Sequence, residues 1–342
     1  MPNDERRGTP PPEARGTVPP PNHSTFDVQS EGERGLAAQH STFHRLLFNE
    51  RRLRSGWRIA IFFLLFVVFF AVGQVLLALL PAAMVMWVAL SLLVASALLA
   101  GWIVLARLDG RPIGALGFAL VPAAPREIGV GLLVGGVLIG AATLLVLVSG
   151  AAHFVPDDGT LLDYVRLLVW TFAFFSLAAA WEELVFRGYP FQALVEGVGV
   201  WPAILISSAA FSWLHAQNPN ITALAFVNIF LAGVLLSVAY LRTRSLWFAT
   251  ALHVGWNWTM GSLIDVPVSG LEEGLNTPLY SAVLGGPEWW TGGAFGPEAG
   301  LAGTVALVAG TLWMLRTPRL RPAPEMVELG PIVERRMEGG DP

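Results

Sequence analysis

The feature that most constrains this chain is a succession of apolar runs too long and too free of charge to belong anywhere but in lipid. From Trp57 to Leu80 the only charged residue is Arg58, and at about 1.5 Å per helical residue that run crosses a hydrocarbon core of about 30 Å. The same reasoning marks spans at residues 82 to 106, 128 to 149 and about 161 to 181. Between Glu196 and Arg242 there is no Asp, Glu, Lys or Arg, but Gln217-Asn218-Pro219-Asn220 carries strong turn chemistry and divides that run into two spans. A seventh covers residues 245 to 263 and an eighth 300 to 315. The expected fold is all-α, a polytopic membrane helical bundle of about eight transmembrane helices. Composition agrees, with 54% hydrophobic and 13% charged residues against about 25% charged in soluble domains.

Several function classes fall away at once. Cysteine is absent, which excludes disulfide frameworks, thiolate metal sites and cysteine nucleophiles. A formal net charge of −4 with no clustered basic face argues against a nucleic-acid partner. Membrane lipid is the surrounding partner.

The spans divide the chain into three parts. Residues 1 to 45, rich in Pro, Gly, Ser and charge, cannot bury enough apolar surface to offset chain entropy and read as a disordered cytoplasmic tail. Residues 46 to 316 form the transmembrane domain, and residues 317 to 342 read as a second disordered cytoplasmic tail. No apolar core precedes residue 57, so the first span is expected to act as an uncleaved anchor rather than a signal peptide. Arginines gather before span one, in the 107 to 126 connector, at Arg187, at Arg242 and Arg244, and after span eight, whereas the alternate loops 150 to 160 and 264 to 298 hold none. Arg166 is the exception, with Asp163 three residues before it as a partner. By the positive-inside rule both termini are cytoplasmic. Every basic residue is arginine and Ala, Gly, Pro and Val abound, which points to a bacterial cell (inner) membrane.

A charged side chain at mid-bilayer costs about 2.5 to 3.5 kcal/mol on insertion scales, so the few ionisable residues inside spans need a reason. Apart from Asp163 and Arg166 they are Glu182, Glu183 and Arg187 closing span four, His215 near the end of span five, and His253 in span seven beside Asn257. Glu183 and Arg187, four apart with the acid first, suit an ion pair at the interface. Glu182 lies about 100° round the helix and lacks that partner, which leaves it free to exchange a proton as a general base or acid must. A single buried histidine is usually a satisfied packing residue, and His253 with Asn257 suits an interhelical hydrogen bond as well as it suits a donor pair for an oxyanion. Ser207 and Ser208 fit close helix packing better than nucleophilic attack.

Taken together, these residues resemble a known pattern. Glu182-Glu183-Leu184-Val185-Phe186-Arg187 resembles the EExxxR motif, Phe211 to His215 the FxxxH motif, and His253 to Asn257 the HxxxN motif of the CPBP family, which comprises CAAX prenyl endopeptidases and bacteriocin-processing (Abi) intramembrane proteases. The resemblance covers about residues 57 to 315. It implies hydrolysis of a peptide bond by water activated by Glu182 and His215, with His253 and Asn257 stabilising the oxyanion and Glu183 and Arg187 supporting the site. It also admits a divalent metal such as zinc on Glu182, His215 and His253, a His₂Glu set of the catalytic type. No HExxH signature accompanies that set, and Asn257 has no place in it, so the metal-free version is preferred. The implied substrate is a peptide or membrane protein. Two other readings are a non-catalytic immunity or scaffold protein that binds peptides in the same cavity, and a proton-coupled transporter, although no internal repeat is present to support the latter.

One conflict is visible. Simple span counting puts Glu182 at the cytoplasmic face and His215 about 22 Å up the next span. Either span four runs deeper, with residues 189 to 199 as a short interfacial helix, or span five is broken or strongly tilted, and Pro190 and Pro202 suit such breaks.

Overall fold

The computed structural model describes residues 47–49, 52–271 and 276–335, so the tail expected over residues 1 to 45 and the last residues, 336 to 342, lie outside the described residues. The chain divides after Phe48: of the first unit only residues 47 and 48 are described, and the whole bundle lies in the second, Asn49–Pro342.

The architecture is an all-α polytopic bundle. Its helices are α1 (Ser55–Leu77), α2 (Ala82–Val104), α3 (Ala124–Val148), α4 (Leu161–Phe186), α5 (Tyr189–Val198), α6 (Val200–Leu214), α7 (Ala223–Thr243), α8 (Leu246–Trp258), α9 (Glu288–Thr291), α10 (Leu301–Arg316) and α11 (Pro324–Glu328). Helices stand at all eight expected positions. Five of the described helical segments are long and apolar enough to cross a membrane, while α6 and α10 are shorter and α8 is lengthened by a π turn, Thr259–Leu263. Along α1 the exposed side chains are themselves apolar: Leu64, Val67, Val72 and Val75 are 58 to 69% exposed. A helix apolar on every face is stable only against lipid or core.

The elements that carry the site start where the sequence offers caps. Thr160, Thr222 and Ser245 each accept a hydrogen bond from the backbone three residues on, opening α4, α7 and α8. Helix α8 is seated by small residues. A Cβ at Gly135 of α3 would lie 2.1 Å from the Leu252 carbonyl oxygen, and one at Gly255 of α8 would lie 2.2 Å from that of Leu132. In lipid, where apolar contact gives no advantage over solvent, such backbone proximity is what holds helices together.

The two arginine-free loops meet. Strand β1 (Ala152–Pro156) pairs antiparallel with β2 (Tyr280–Leu284), with Ala152 opposite Leu284 and Pro156 opposite Tyr280. The other end of the bundle holds a charge knot. Asp109, its side chain fully buried, takes Arg52, Arg58 at 2.6 Å and Arg335 at 3.2 Å, with Glu196 sharing all three arginines. Tyr189 Oη donates to Asp109 at 2.7 Å.

This knot corrects the expectation of a C-terminal tail from residue 317. Residues 317–335 turn back on the bundle: Met326, Ile332 and Val333 are buried, the Ile332 amide donates to Gln192 Oε1 at 2.9 Å, and Arg244 pairs with Glu334. The segment is polar in composition, but its charges have partners far away in sequence.

Candidate active site

Helix α4 does not stop at residue 181. It runs to Phe186, which places both glutamates in its last two turns, inside the bundle. Glu183 is completely buried, and its Oε1 accepts from Arg187 Nη1 and from His253 Nδ1, each at 3.0 Å. Arg187, also completely buried, donates its other terminal nitrogen to the Gly233 carbonyl at 3.1 Å and lies over the Phe211 ring at 4.5 Å. The expected interfacial ion pair is therefore an interior one. It joins α4 to α6 and α7 and orients the α8 histidine. A carboxylate only accepts, so Nδ1 of His253 carries the hydrogen and Nε2 points the other way.

Glu182 is where that second nitrogen leads. Its Oε2 lies 3.9 Å from His253 Nε2, beyond hydrogen-bond reach, and that oxygen is buried without a hydrogen-bond partner. The carboxylate is 15% exposed, toward a cavity.

His215 caps the C-terminal end of α6, and its Nδ1 lies 2.8 Å from the Phe211 carbonyl of the preceding turn. A carbonyl cannot donate, so Nδ1 is protonated and Nε2 of the neutral ring is left as an acceptor. The conflict over depth is resolved by α5. Ser207 Oγ donates to the Phe186 carbonyl at 2.8 Å and the Phe186 and Phe211 rings meet edge to face at 5.2 Å. The end of α4 is thus level with the middle of α6, not its start. Helix α5 carries the chain past the end of α4 before α6 returns, by about 10 Å at 1.5 Å per residue over the seven residues from Val200 to Ser207. Of the two alternatives, the deeper fourth helix followed by a separate short helix is the one observed.

Glu182, His215, His253 and Asn257 all line one cavity of about 320 Å³, bounded by α4, α6, α7 and α8. All seven defining residues of the three motifs lie within a stretch that matches a known family. Residues 164–259 match the model of the type II CAAX prenyl endopeptidase Rce1-like family. Over that stretch the chain is similar to the CAAX-protease family. Comparisons with curated proteins and with solved structures returned no match. That likeness supports a CAAX-type endopeptidase in general, in a chain whose five long apolar helices make it a multi-pass membrane protein.

The resemblance also admits a divalent metal on Glu182, His215 and His253. Among the described residues no three His, Asp or Glu side chains converge as ligands. His253 turns Nδ1 to Glu183 and His215 turns Nδ1 to the Phe211 carbonyl, which leaves Nε2 of each ring free, and Nε2 of His253 lies 3.9 Å from Glu182 Oε2.

Two polar cavity-lining residues lie beyond the family's matched stretch and carry no motif. Glu298, from a single turn at Pro297–Ala299, reaches the cavity together with Ser269 of the preceding loop. Burial pushes the Glu298 carboxyl up, while hydrogen bonds from Ser269 and Trp256 oppose that. The only sequence sign of them is an acid beside Gly and Pro in the arginine-free loop 264 to 298.

Proposed function

We propose that this protein is an intramembrane endopeptidase in which Glu182 and His215 activate water and His253 and Asn257 bind the oxyanion. The observation that carries this reading is the convergence of four polar side chains from three separate helices on one cavity whose other lining is largely apolar.

The chemistry follows from the protonation pattern. Water placed against Glu182 gives one proton to its carboxylate, and its other hydrogen bonds to His215 Nε2. The water oxygen adds to the peptide carbonyl carbon. The carbonyl π pair becomes an oxyanion, held by the Asn257 amide N–H and by His253 Nε2 in its protonated form. Collapse of this tetrahedral species breaks the C–N bond, and the leaving nitrogen takes the proton from Glu182. The products are a carboxyl and an amine. Glu183 and Arg187 fix the His253 ring through Nδ1, the role that second partners of catalytic histidines commonly fill.

The proposed substrate is a peptide or membrane-protein segment able to enter from lipid, and the proposed setting is the bacterial inner membrane with both termini cytoplasmic. The arginine bias of the loops supports that orientation, as does the pairing of the two arginine-free loops with each other.

The test compares wild-type and Glu182→Gln protein in liposomes against a library of membrane-anchored peptides, with new termini read by mass spectrometry. The expected result is cleavage by wild type and a loss of about 10² to 10⁴ in rate for the variant. Equal cleavage by both would refute the assignment, and peptide binding with no cleavage by wild type would favour the scaffold reading.

A further inference from the structure

The cavity has a second wall that the motifs do not supply. Residues 268–271 form a tight turn: the Leu271 amide donates to the Val268 carbonyl at 2.9 Å, with Ser269 at φ +51° and Gly270 at φ +80°. Positive φ at both central positions is the type I′ geometry, natural for glycine and unfavourable for serine. Ser269 is held there by three hydrogen bonds. Its amide and its hydroxyl both donate to Glu298 Oε1 at 2.7 Å, and its carbonyl accepts from Asn218 Nδ2 at 3.0 Å.

Each end of this network reaches a motif. Asn218 belongs to the turn that follows His215, and its amide donates to the His215 carbonyl at 3.0 Å. At the other end Glu298 Oε2 accepts from the indole of Trp256 at 3.1 Å, and Trp256 is the residue before Asn257. The backbone of Glu298 is itself fixed, since Asn228 Nδ2 of α7 donates to its carbonyl at 2.7 Å. A continuous path therefore runs from the His215 turn through Asn218, Ser269 and Glu298 to Trp256 and Asn257. Without it the two would be joined only through the bundle.

We infer that Glu298 is a positioning residue of the proposed peptidase site, bracing the turn that carries His215 against the helix that carries His253 and Asn257 through Ser269 and Trp256. This rests on the peptidase reading above. The carboxylate faces three donors and no acceptor, an arrangement that a carboxylate satisfies and an amide cannot. In Glu298→Gln one donor must meet the NH₂ group, so one arm of the brace opens. The catalytic groups all remain. Only their separation changes, and a misplacement of about 1 Å costs about 10²-fold in rate.

The test uses two readouts on the full chain in liposomes. The chain has no cysteine, so Val268→Cys, at a cavity-lining position only 3% exposed, gives a single thiol that reports opening of the turn. Adding Glu298→Gln is expected to raise its rate of alkylation about 10-fold or more, as loss of a charge-assisted hydrogen bond requires. In the cysteine-free chain Glu298→Gln is expected to lower kcat with KM little changed. The loss should vanish in an Asn257→Ala background, where there is no longer a donor to position. Ser269→Ala, which removes one arm by a different route, should show a smaller effect of the same kind. Unchanged alkylation overturns the brace. A kcat loss that multiplies independently with Asn257→Ala, or that comes with a parallel rise in KM, overturns the positioning role. If wild type cleaves nothing, the peptidase reading falls while the alkylation arm still decides the brace.

Discussion

Removing Arg187 should be the most costly single change in the bundle that leaves the backbone untouched. Arg187→Met keeps an apolar stem of similar length but leaves Glu183, completely buried, with His253 Nδ1 as its one remaining donor. Breaking a buried pair by removing one partner costs about 3 to 5 kcal/mol. Losing the guanidinium over Phe211 at 4.5 Å adds about 0.5 to 2 kcal/mol. The sum, about 3.5 to 7 kcal/mol, is a factor of about 300 to 10⁵ in the unfolding equilibrium. Most of that is the orphaned carboxylate rather than the strength of the pair, so Glu183→Gln combined with Arg187→Met should recover at least half of it. Equilibrium unfolding in mixed micelles, followed by circular dichroism across the four members of the cycle, measures both quantities. A loss below about 1 kcal/mol for Arg187→Met, or a double variant that loses the full sum of the singles, would show that the pair behaves as an exposed surface bridge and refute the reasoning.

Other outcomes can be stated from the same geometry. Asn257→Ala should lower kcat by about 10² to 10³, the usual effect of losing one oxyanion donor, without changing KM in steady-state cleavage assays. Gly135→Val, whose Cβ would fall 2.1 Å from the Leu252 carbonyl, should push α8 off α3 and abolish turnover while the helical signal in circular dichroism persists. Asp109→Asn should destabilise the protein by about 3 kcal/mol, because it leaves Arg58, only 4% exposed, with half its counter-charge. Raising salt during thermal unfolding should not mask that loss, since the pair is shielded from screening.

The motif residues were legible because lipid makes every ionisable group conspicuous. In a span with few charges, Glu182, Glu183, Arg187, His215 and His253 stand out without any structure. Their convergence was not legible. The height of His215 relative to Glu182 depends on where α4 ends and how far α5 descends, and neither is encoded in hydropathy, which ends span four at about residue 181. The charge knot escaped for a related reason: Arg58 and Asp109 are each ordinary near a span end, and only the fold brings Glu196 and Arg335 to them. Glu298 and Ser269 were invisible in a stronger sense. Loops carry no periodicity, and a side chain that reaches the cavity from a three-residue turn leaves no pattern to read.

Helix α5 acts as a shim. Its ten residues set the vertical offset between two neighbouring helices, and adding or deleting one residue would move the far histidine by about 1.5 Å and swing it about 100° about its axis. Insertions in the solvent loop at 150–160 would stretch a tether, but an insertion in α5 would change the register of the machine itself, so its length is as much a functional quantity as the identity of any side chain in the cavity.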